Sequence, residues 1–532
     1  MRKKLSAAMA MAVGLVIGAG VIPSSAQAGT SSGPGYTPPP IEWGTCTRTS
    51  LVARNAECGF VIVPLDYARP GSTKIKLAVS RIKHKSAQAD YQGIMLVNPG
   101  GPGGSGLTLS ILGEFVPGGV GGDYDWIGFD PRGVGSSQPR LSCDSEVAGY
   151  NRPYYVPVTR SLENTWLTRS RNYAAACDRA GGALLDHVKT TDSVADMESI
   201  RTALGASRIN YYGFSYGTYL GQVYATLHPN RVRRMVFDGN VDPRRVWYDA
   251  NLDQDFAFDS NMDIYFAWVA KYDSVYHLGT SGRTVKRKYY STLQELRRAP
   301  AAGLIGPDEW NDIFLSAGYF VFGWEDVGQA FAAWVNDRNP APLLDLYPAP
   351  APGADNGYAM YLATECTDVQ WPRSWPTWRR DNWRVHAKAP FLTWGNAWFN
   401  APCLTWGAKA GKPVQVDGRR VPPILLISET LDAATPYTGS LEVRKRFPRS
   451  ALVEGVGGTT HAGSLNGIAC VDDTVAAYLD NGALPKRVSG NRSDRQCDPL
   501  PQPDPTAAAA RSLRASGTNA SRAELPELVT VR

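Results

Sequence analysis

Histidine is scarce, with six in 532 residues, and no two of the eight cysteines stand at Cys-x-x-Cys spacing. That removes the zinc-ribbon and thiol-redox readings and leaves few residues for any chemistry that needs an imidazole. An excess of one charge is also lacking. Fifty-five Lys and Arg face 49 Asp and Glu, and the basic residues come as short pairs such as Arg233-Arg234 and Arg379-Arg380, so nucleic acid is set aside as a partner. Beyond the N-terminus no apolar run is long enough to span a bilayer, and no internal repeat is evident. No metal or organic cofactor is expected.

The composition that remains, 43% apolar and 20% charged, is that of a globular chain and excludes disorder, collagen and coiled coil. The length exceeds one core of typical size, so the expectation is two packed units or one catalytic domain carrying an insertion.

Met1-Arg2-Lys3-Lys4, an apolar run from Leu5 to Ile22 and Ala26-Gln27-Ala28 read as a secretory signal over residues 1–28, with the mature chain starting at Gly29. No Cys near that junction could carry a lipid. Removing the three basic residues of this segment, which holds no acidic one, takes the formal charge from +6 to +3. An even number of cysteines in an exported chain implies disulfides. Eight permit on the order of 100 connectivities, and joining sequence neighbours gives 46–58, 143–177, 366–403 and 470–497.

A Pro-rich leader, 29–40, precedes the first structure. Phe60 to Pro64, Ile75 to Ile82, Gly93 to Asn98, Trp126 to Asp130 and Ile209 to Gly213 read as strands, and Val194, Met197, Ile200, Ala203 and Leu204 recur at helical spacing between Asp192 and Leu204. Strands interleaved with helices predict an α/β fold with a mostly parallel sheet flanked by helices on both faces. The rhythm breaks over 251–396, which is dense in Trp, Tyr and Phe, and this stretch is expected to be an inserted helical cap. It divides the core into 41–250 and 397–498. Strand signals return at Val421 to Ser428 and Ala451 to Val456, and 499–532 reads as a loosely held tail.

Chemistry concentrates at Ile209-Asn-Tyr-Tyr-Gly-Phe-Ser215-Tyr-Gly217: a strand, Gly-x-Ser-x-Gly, then a helix. A strand that turns at once into a helix strains its turn residue and tolerates only small neighbours, while exposing a hydroxyl at the helix N-terminus. A second match, Gly29-Thr-Ser-Ser-Gly33, has neither strand nor helix around it and is coincidence. Ser215 is therefore the candidate nucleophile, against the alternative of a turn serine capping a helix.

A serine needs a base, and the base needs a carboxylate. With the order Ser, acid, His, only His461 qualifies: it follows the last predicted strand in the loop Gly457-Gly-Thr-Thr-His461-Ala-Gly463, whereas His84 and His187 precede Ser215 and His228, His277 and His386 fall in the next helix or the cap. The acid should follow the preceding strand. Asp432, just before Ala433-Ala-Thr-Pro436, is the choice and Glu429 the runner-up. An oxyanion would require backbone donors: Tyr216 N–H after the serine and one from Asn98-Pro-Gly-Gly-Pro-Gly-Gly-Ser-Gly106, with Gly101 preferred and Gly100 next. That loop lacks the Lys of a P-loop and the acidic partner of a dinucleotide site.

Together these residues resemble the α/β-hydrolase fold, and more narrowly the secreted tripeptidyl aminopeptidases of actinobacteria, relatives of proline iminopeptidases. The likeness covers about Ile41 to Cys497. It rests on Asn98 to Gly106, Gly128-Phe-Asp-Pro-Arg-Gly-Val-Gly135, Tyr212-Gly-Phe-Ser-Tyr-Gly-Thr-Tyr-Leu220, Glu365-Cys-Thr-Asp368 and Asp432-Ala-Ala-Thr-Pro436. The resemblance implies a Ser215, Asp432, His461 triad and release of tripeptides from free N-termini of peptides. Relatives place a serine before the histidine; here it is Thr460. An enzyme that measures from a free amine needs a counter-charge for it. Glu365, beside Cys366, is the candidate amine anchor and Asp368 the second choice, with a helix-capping acid as the alternative for each. Trp371, Trp375, Trp378 and Trp383 are candidates for subsite walls or for plain core.

The leading expectation is thus a secreted, monomeric serine aminopeptidase acting on peptides with free N-termini, with no membrane attachment after signal cleavage. A secreted esterase or lipase using the same triad, and a non-catalytic hydrolase-like binding protein, are the alternatives.

Overall fold

Ten strands form one sheet in the computed structural model, which describes residues 36–507. The signal segment, most of the leader and the tail beyond 507 lie outside the described residues. In chain order the strands are β1 (Gly44–Thr45), β2 (Glu57–Pro64), β3 (Lys74–Ile82), β4 (Ile94–Asn98), β5 (Asp125–Phe129), β6 (Ile209–Phe214), β7 (Val232–Asp238), β8 (Leu425–Glu429), β9 (Ala451–Gly455) and β10 (Arg495–Cys497). Across the sheet they run β1-β2-β3-β5-β4-β6-β7-β8-β9-β10. The first three pairings are antiparallel and the rest are parallel.

Burial follows from this layout. β4, β6, β8 and β9 are buried at every position because helices cover both faces, whereas β2 near the edge mixes buried and exposed residues. After β4 the chain steps to β5 on one side and then returns to β6 on the other. The carboxyl ends of β4 and β6, side by side with Asn98 opposite Gly213, therefore open a crevice between connections that leave in opposite directions. Ligand sites of open α/β sheets lie at such switch points.

Every strand read from the sequence is present, with shifted ends. β8 begins at Leu425 rather than Val421, because Pro422 and Pro423 have no N–H to give a ladder. The helix expected at Asp192 to Leu204 spans Thr190–Ala203, its first turn closed by Asp192 accepting the Lys189 N–H at 2.9 Å.

Between β7 and β8 the chain is helical from Tyr248 to Leu404. Its first half packs an aromatic cluster of its own, including Phe258, Tyr265, Trp310 and Phe331. The second half, including Met360, Trp378 and Trp398, joins the cluster beneath the sheet. Trp371 and Trp378 stack on one another with ring centres 5.7 Å apart and are fully buried, so they are core. Trp375 and Trp383 pack against that core, on Trp398 and Trp394 respectively.

The four disulfides join sequence neighbours, Cys46–Cys58, Cys143–Cys177, Cys366–Cys403 and Cys470–Cys497. In the chain-entropy view, loops of this length each restrict the unfolded chain by about 3–4 kcal/mol. Within 499–507, the described part of the stretch expected to be loosely held, two residues are anchored. Leu500 is buried, and the Pro503 carbonyl accepts the indole N–H of Trp268 at 2.9 Å. The apolar side chain and the disulfide at Cys497 outweigh the Pro-rich composition there.

Candidate active site

β6 delivers Ser215 into a tight corner. Its φ of 55° and ψ of −128° lie where a residue with a side chain is strained. The corner is held from both sides: the Ser215 N–H donates to the Asp238 carbonyl at 3.0 Å, and the Ser215 carbonyl accepts the N–H of Thr218 at 2.8 Å and its hydroxyl at 2.7 Å. Side chains at Gly213 or Gly217 would strike the Gly217 and Asn98 carbonyls, which is why small residues flank the serine.

His461 arrives in the loop after β9 and is buried. Its backbone N–H donates to the carbonyl of Tyr319 at 2.8 Å, at the end of the helix Pro307–Tyr319, so the inserted helices fix the loop that carries it. Nδ1 lies 2.8 Å from Asp432 Oδ2 and 3.0 Å from Oδ1. With Nδ1 as donor, Nε2 keeps its lone pair. Asp432 is itself held by the N–H groups of Ala434 and Thr435 at 2.9 and 3.0 Å and by the Thr435 hydroxyl at 2.7 Å. Burial disfavours the imidazolium, but the charge of Asp432, its hydrogen bond and the nearby Asp238 outweigh this and raise the His461 pKa above 6.5.

Asp238 and Gly239 bring serine and histidine to one place. Ser215 is bonded to the Asp238 carbonyl, and a Cβ on Gly239 would sit 2.9 Å from His461 Cε1. The serine hydroxyl and the ring are not hydrogen-bonded to one another in this structure, a contact that in many hydrolases closes only around substrate.

The glycine-rich loop after β4 lies against this corner. At Gly100 (φ +98°) a Cβ would stand 2.8 Å from Ser215 Cβ and 2.9 Å from the Tyr216 nitrogen. The Gly100 N–H donates back to Asn98 Oδ1 at 3.0 Å and is thereby occupied. The far side of the loop is fixed by Asp130, which accepts the Ser105 hydroxyl at 2.6 Å and the Leu107 N–H at 3.0 Å. The phenol of Tyr216 bonds Thr190 Oγ1 at 2.7 Å, which holds its backbone in place at the helix start.

The two runner-up acids of the sequence make other contacts. Glu429 does not touch the imidazole: its oxygens accept the N–H groups of Thr460 at 2.6 Å and Leu500 at 2.9 Å. Asp368 is committed to the Thr190 N–H and hydroxyl, both at 2.6 Å, and to the Trp247 indole at 3.3 Å. Glu365 differs. It is buried on the helix Asn356–Asp368, beside the Cys366–Cys403 bridge; the Tyr361 phenol and the Asn251 amide approach its carboxyl, and its Oε2 has no hydrogen-bond partner. Desolvation pushes its pKa well above the usual carboxyl value. Burial, and after it the charges of Asp432 and Glu365, push the Tyr319 phenol up to about 12. Among the described residues no group of three or more His, Cys, Asp or Glu is arranged to hold a metal ion.

Sequence reasoning missed Tyr319, whose contribution is a backbone carbonyl and leaves no signature. It also missed the support of Asp238, where Ser464 donates through N–H at 2.8 Å and hydroxyl at 2.5 Å. The unread strand β7, ending in Asp238, was the signal available.

Nucleophile corner, acid and base in this order on this sheet define a class, and a family model described as "alpha/beta hydrolase fold" matches residues 93–467. The chain belongs to the α/β-hydrolase family and is a serine hydrolase. It is 40% identical over 484 residues to the tripeptidyl aminopeptidase of Streptomyces coelicolor, covering 87% of each chain. It is 30% identical to the serine protease Hip1 of Mycobacterium tuberculosis, covering 84% of this chain and 90% of that one. It is also 30% identical to the carboxylesterase B of the same species, covering 91% and 97%. A solved proline iminopeptidase of Mycobacterium smegmatis superposes with a TM-score of 0.39 at 14% identity, covering 80% of this chain and 98% of that one.

Proposed function

We propose that the protein is a secreted exopeptidase that releases tripeptides from the free N-termini of peptides, with Ser215, Asp432 and His461 as its triad. The observation that carries the reading is the buried Glu365 Oε2, without a hydrogen-bond partner, on the helix Asn356–Asp368, which packs against the glycine-rich loop where a Cβ on Gly103 would meet the Gly357 carbonyl. A peptide ammonium would complete the hydrogen bonding of this acid and supply its counter-charge. The 40% identity to a tripeptidyl aminopeptidase, against 30% to a carboxylesterase, supports the same choice.

In this reading His461 Nε2 takes the Ser215 proton as Oγ attacks the carbonyl carbon of the third residue. The oxyanion is met by the N–H groups of Tyr216 and Gly101. The imidazolium then protonates the leaving amine, and water, deprotonated by the same nitrogen, releases the tripeptide from the serine ester. Four disulfides and the signal-like N-terminus support export, and no described helix is long and apolar enough to cross a membrane. We take the working unit to be the monomer.

The test is mass spectrometry of products from peptides offered with free and with acetylated N-termini. Tripeptides from the free form only are the expected result. Cleavage indifferent to acetylation contradicts the amine anchor, and turnover of short-chain esters without any peptide cleavage would establish the esterase.

A further inference from the structure

We propose that Glu429 is a positioning residue for the reaction, a buried carboxylate around which the histidine loop is folded and through which the docked C-terminal segment holds that loop in register. The inference rests on His461 being the general base.

Glu429 ends β8, three residues before Asp432, and its carboxylate turns away from the imidazole. One oxygen accepts the N–H of Thr460, the residue that precedes His461, at 2.6 Å; the other accepts the N–H of Leu500 at 2.9 Å. The loop is shaped to this group. A Cβ on Gly458 would overlap the Glu429 carboxyl, one on Gly463 would come within 3.3 Å of Oε1, and one on Gly455 within 3.2 Å of Cγ. Two glycines of the histidine loop and the one that ends β9 thus make room for this carboxylate, and the loop is pinned at Thr460 and, by the Tyr319 carbonyl, at His461.

The second oxygen extends the device. Leu500 is held by its own burial, by the Cys470–Cys497 bridge three residues before it and by Pro503 on Trp268. Glu429 therefore links acid-bearing strand, base-bearing loop and C-terminal segment through two charge-assisted bonds.

Among the described residues no Lys or Arg pairs with this carboxylate. The titratable groups that act on it are Asp238 on β7 and Asp432 on its own loop, while β9, the histidine loop and the C-terminal segment present Gly455, Gly458, Gly463, Pro499 and Leu500. Burial, strengthened by the charges of Asp238 and Asp432 and opposed by the two N–H donors, raises its pKa to about 8. Protonation turns an acceptor toward an N–H into a donor, so the ordered loop belongs to the ionised form. Activity should then gain from the deprotonation of Glu429 as well as of His461.

The experiment is the pH dependence of kcat and KM for Glu429→Gln, which offers one acceptor where two are needed. The expected result, in a variant with wild-type near-ultraviolet circular dichroism, is a kcat lowered more than about fivefold with KM unchanged, and an acid limb of log kcat against pH that loses the contribution of one proton. A smaller fall, or an unchanged limb, overturns the proposal. Should Glu429→Gln not fold, Gly458→Ala, which drives a methyl into the same carboxylate, is judged on the same kcat threshold. Reaction of the wild-type serine with a fluorophosphonate keeps the two readings apart. Without that labelling the catalytic reading fails, whereas labelling with unaffected Glu429 and Gly458 variants sinks only the positioning role.

Discussion

His461 meets both oxygens of Asp432, at 2.8 and 3.0 Å from Nδ1, while the same carboxylate is bound by the turn Ala433 to Thr435. Imidazole and carboxylate are thus oriented by a contact that leaves neither free to rotate. An amide at 432 would present an N–H to Nδ1 or lose its own turn. Asp432→Asn should lower kcat by roughly 10³- to 10⁴-fold while the protein stays folded, measured on any peptide that the wild type cleaves.

The same pair sets the pH dependence. The carboxylate raises the imidazole pKa, and the base works only when neutral, so kcat/KM should rise with pH along a limb that lies above the ordinary histidine value. In Asp432→Asn the residual activity should show that limb displaced to lower pH, because the charge that favoured the imidazolium is gone. A pH profile of kcat/KM for the two proteins checks the direction.

Gly100 has a positive φ and no room for a methyl, with the Phe214 carbonyl 2.5 Å and the Tyr216 nitrogen 2.9 Å from where its Cβ would stand. Gly100→Ala should cost roughly 10²- to 10³-fold in kcat by spoiling the oxyanion donors. Gly119→Ala shares the positive φ but meets nothing within 4 Å. It should lose only stability, about 1–2 kcal/mol in denaturant unfolding, with kcat unchanged.

Glu365→Gln keeps the shape and removes the carboxylate that would form against a bound ammonium. KM for peptides with a free N-terminus should rise roughly 10- to 100-fold, and turnover of a small neutral ester should be little changed. Equal losses on both substrates would assign Glu365 to packing.

Asp255, on the helix Tyr248–Lys271, is buried with Oδ2 unpartnered and only the Asn396 amide, at 3.0 Å, on Oδ1. Desolvation raises its pKa to about 8. The folded state then binds a proton that the unfolded state has already lost, so this group makes stability fall as pH rises from about 4 to about 8. Asp255→Asn should raise Tm by about 2–4 °C at pH 8–9 and leave it unchanged near pH 4, read by calorimetry.

The contrast between β6 and β7 shows where sequence reading succeeds and where it stops. β6 announces itself because it ends in glycines that its corner requires. β7, equally central, was not read as a strand because Arg233 and Arg234 interrupt it. Both side chains are spent at its start, Arg233 on the Gln92 carbonyl at 2.8 Å and Arg234 on the Tyr124 hydroxyl at 2.7 Å. β10 is three residues long and held by pairing with β9, so no local pattern could reveal it. In the site, Asp432 and His461, chosen by chain order, are hydrogen-bonded to one another, and Ser215 stands at the strained corner that its motif demands. Glu429 was read as a competing acid since type and spacing were right. Only the direction of its side chain, fixed by Thr460 and Leu500 from distant segments, gives it another task.

The central claim is that one strained hydroxyl performs the attack. Treatment of the folded protein with a fluorophosphonate, followed by peptide mapping, should find a single adduct on Ser215 in proportion to the activity lost, and none in Ser215→Ala. An adduct on another serine that tracks the loss of activity, or peptide cleavage retained in full by Ser215→Ala, would contradict the account.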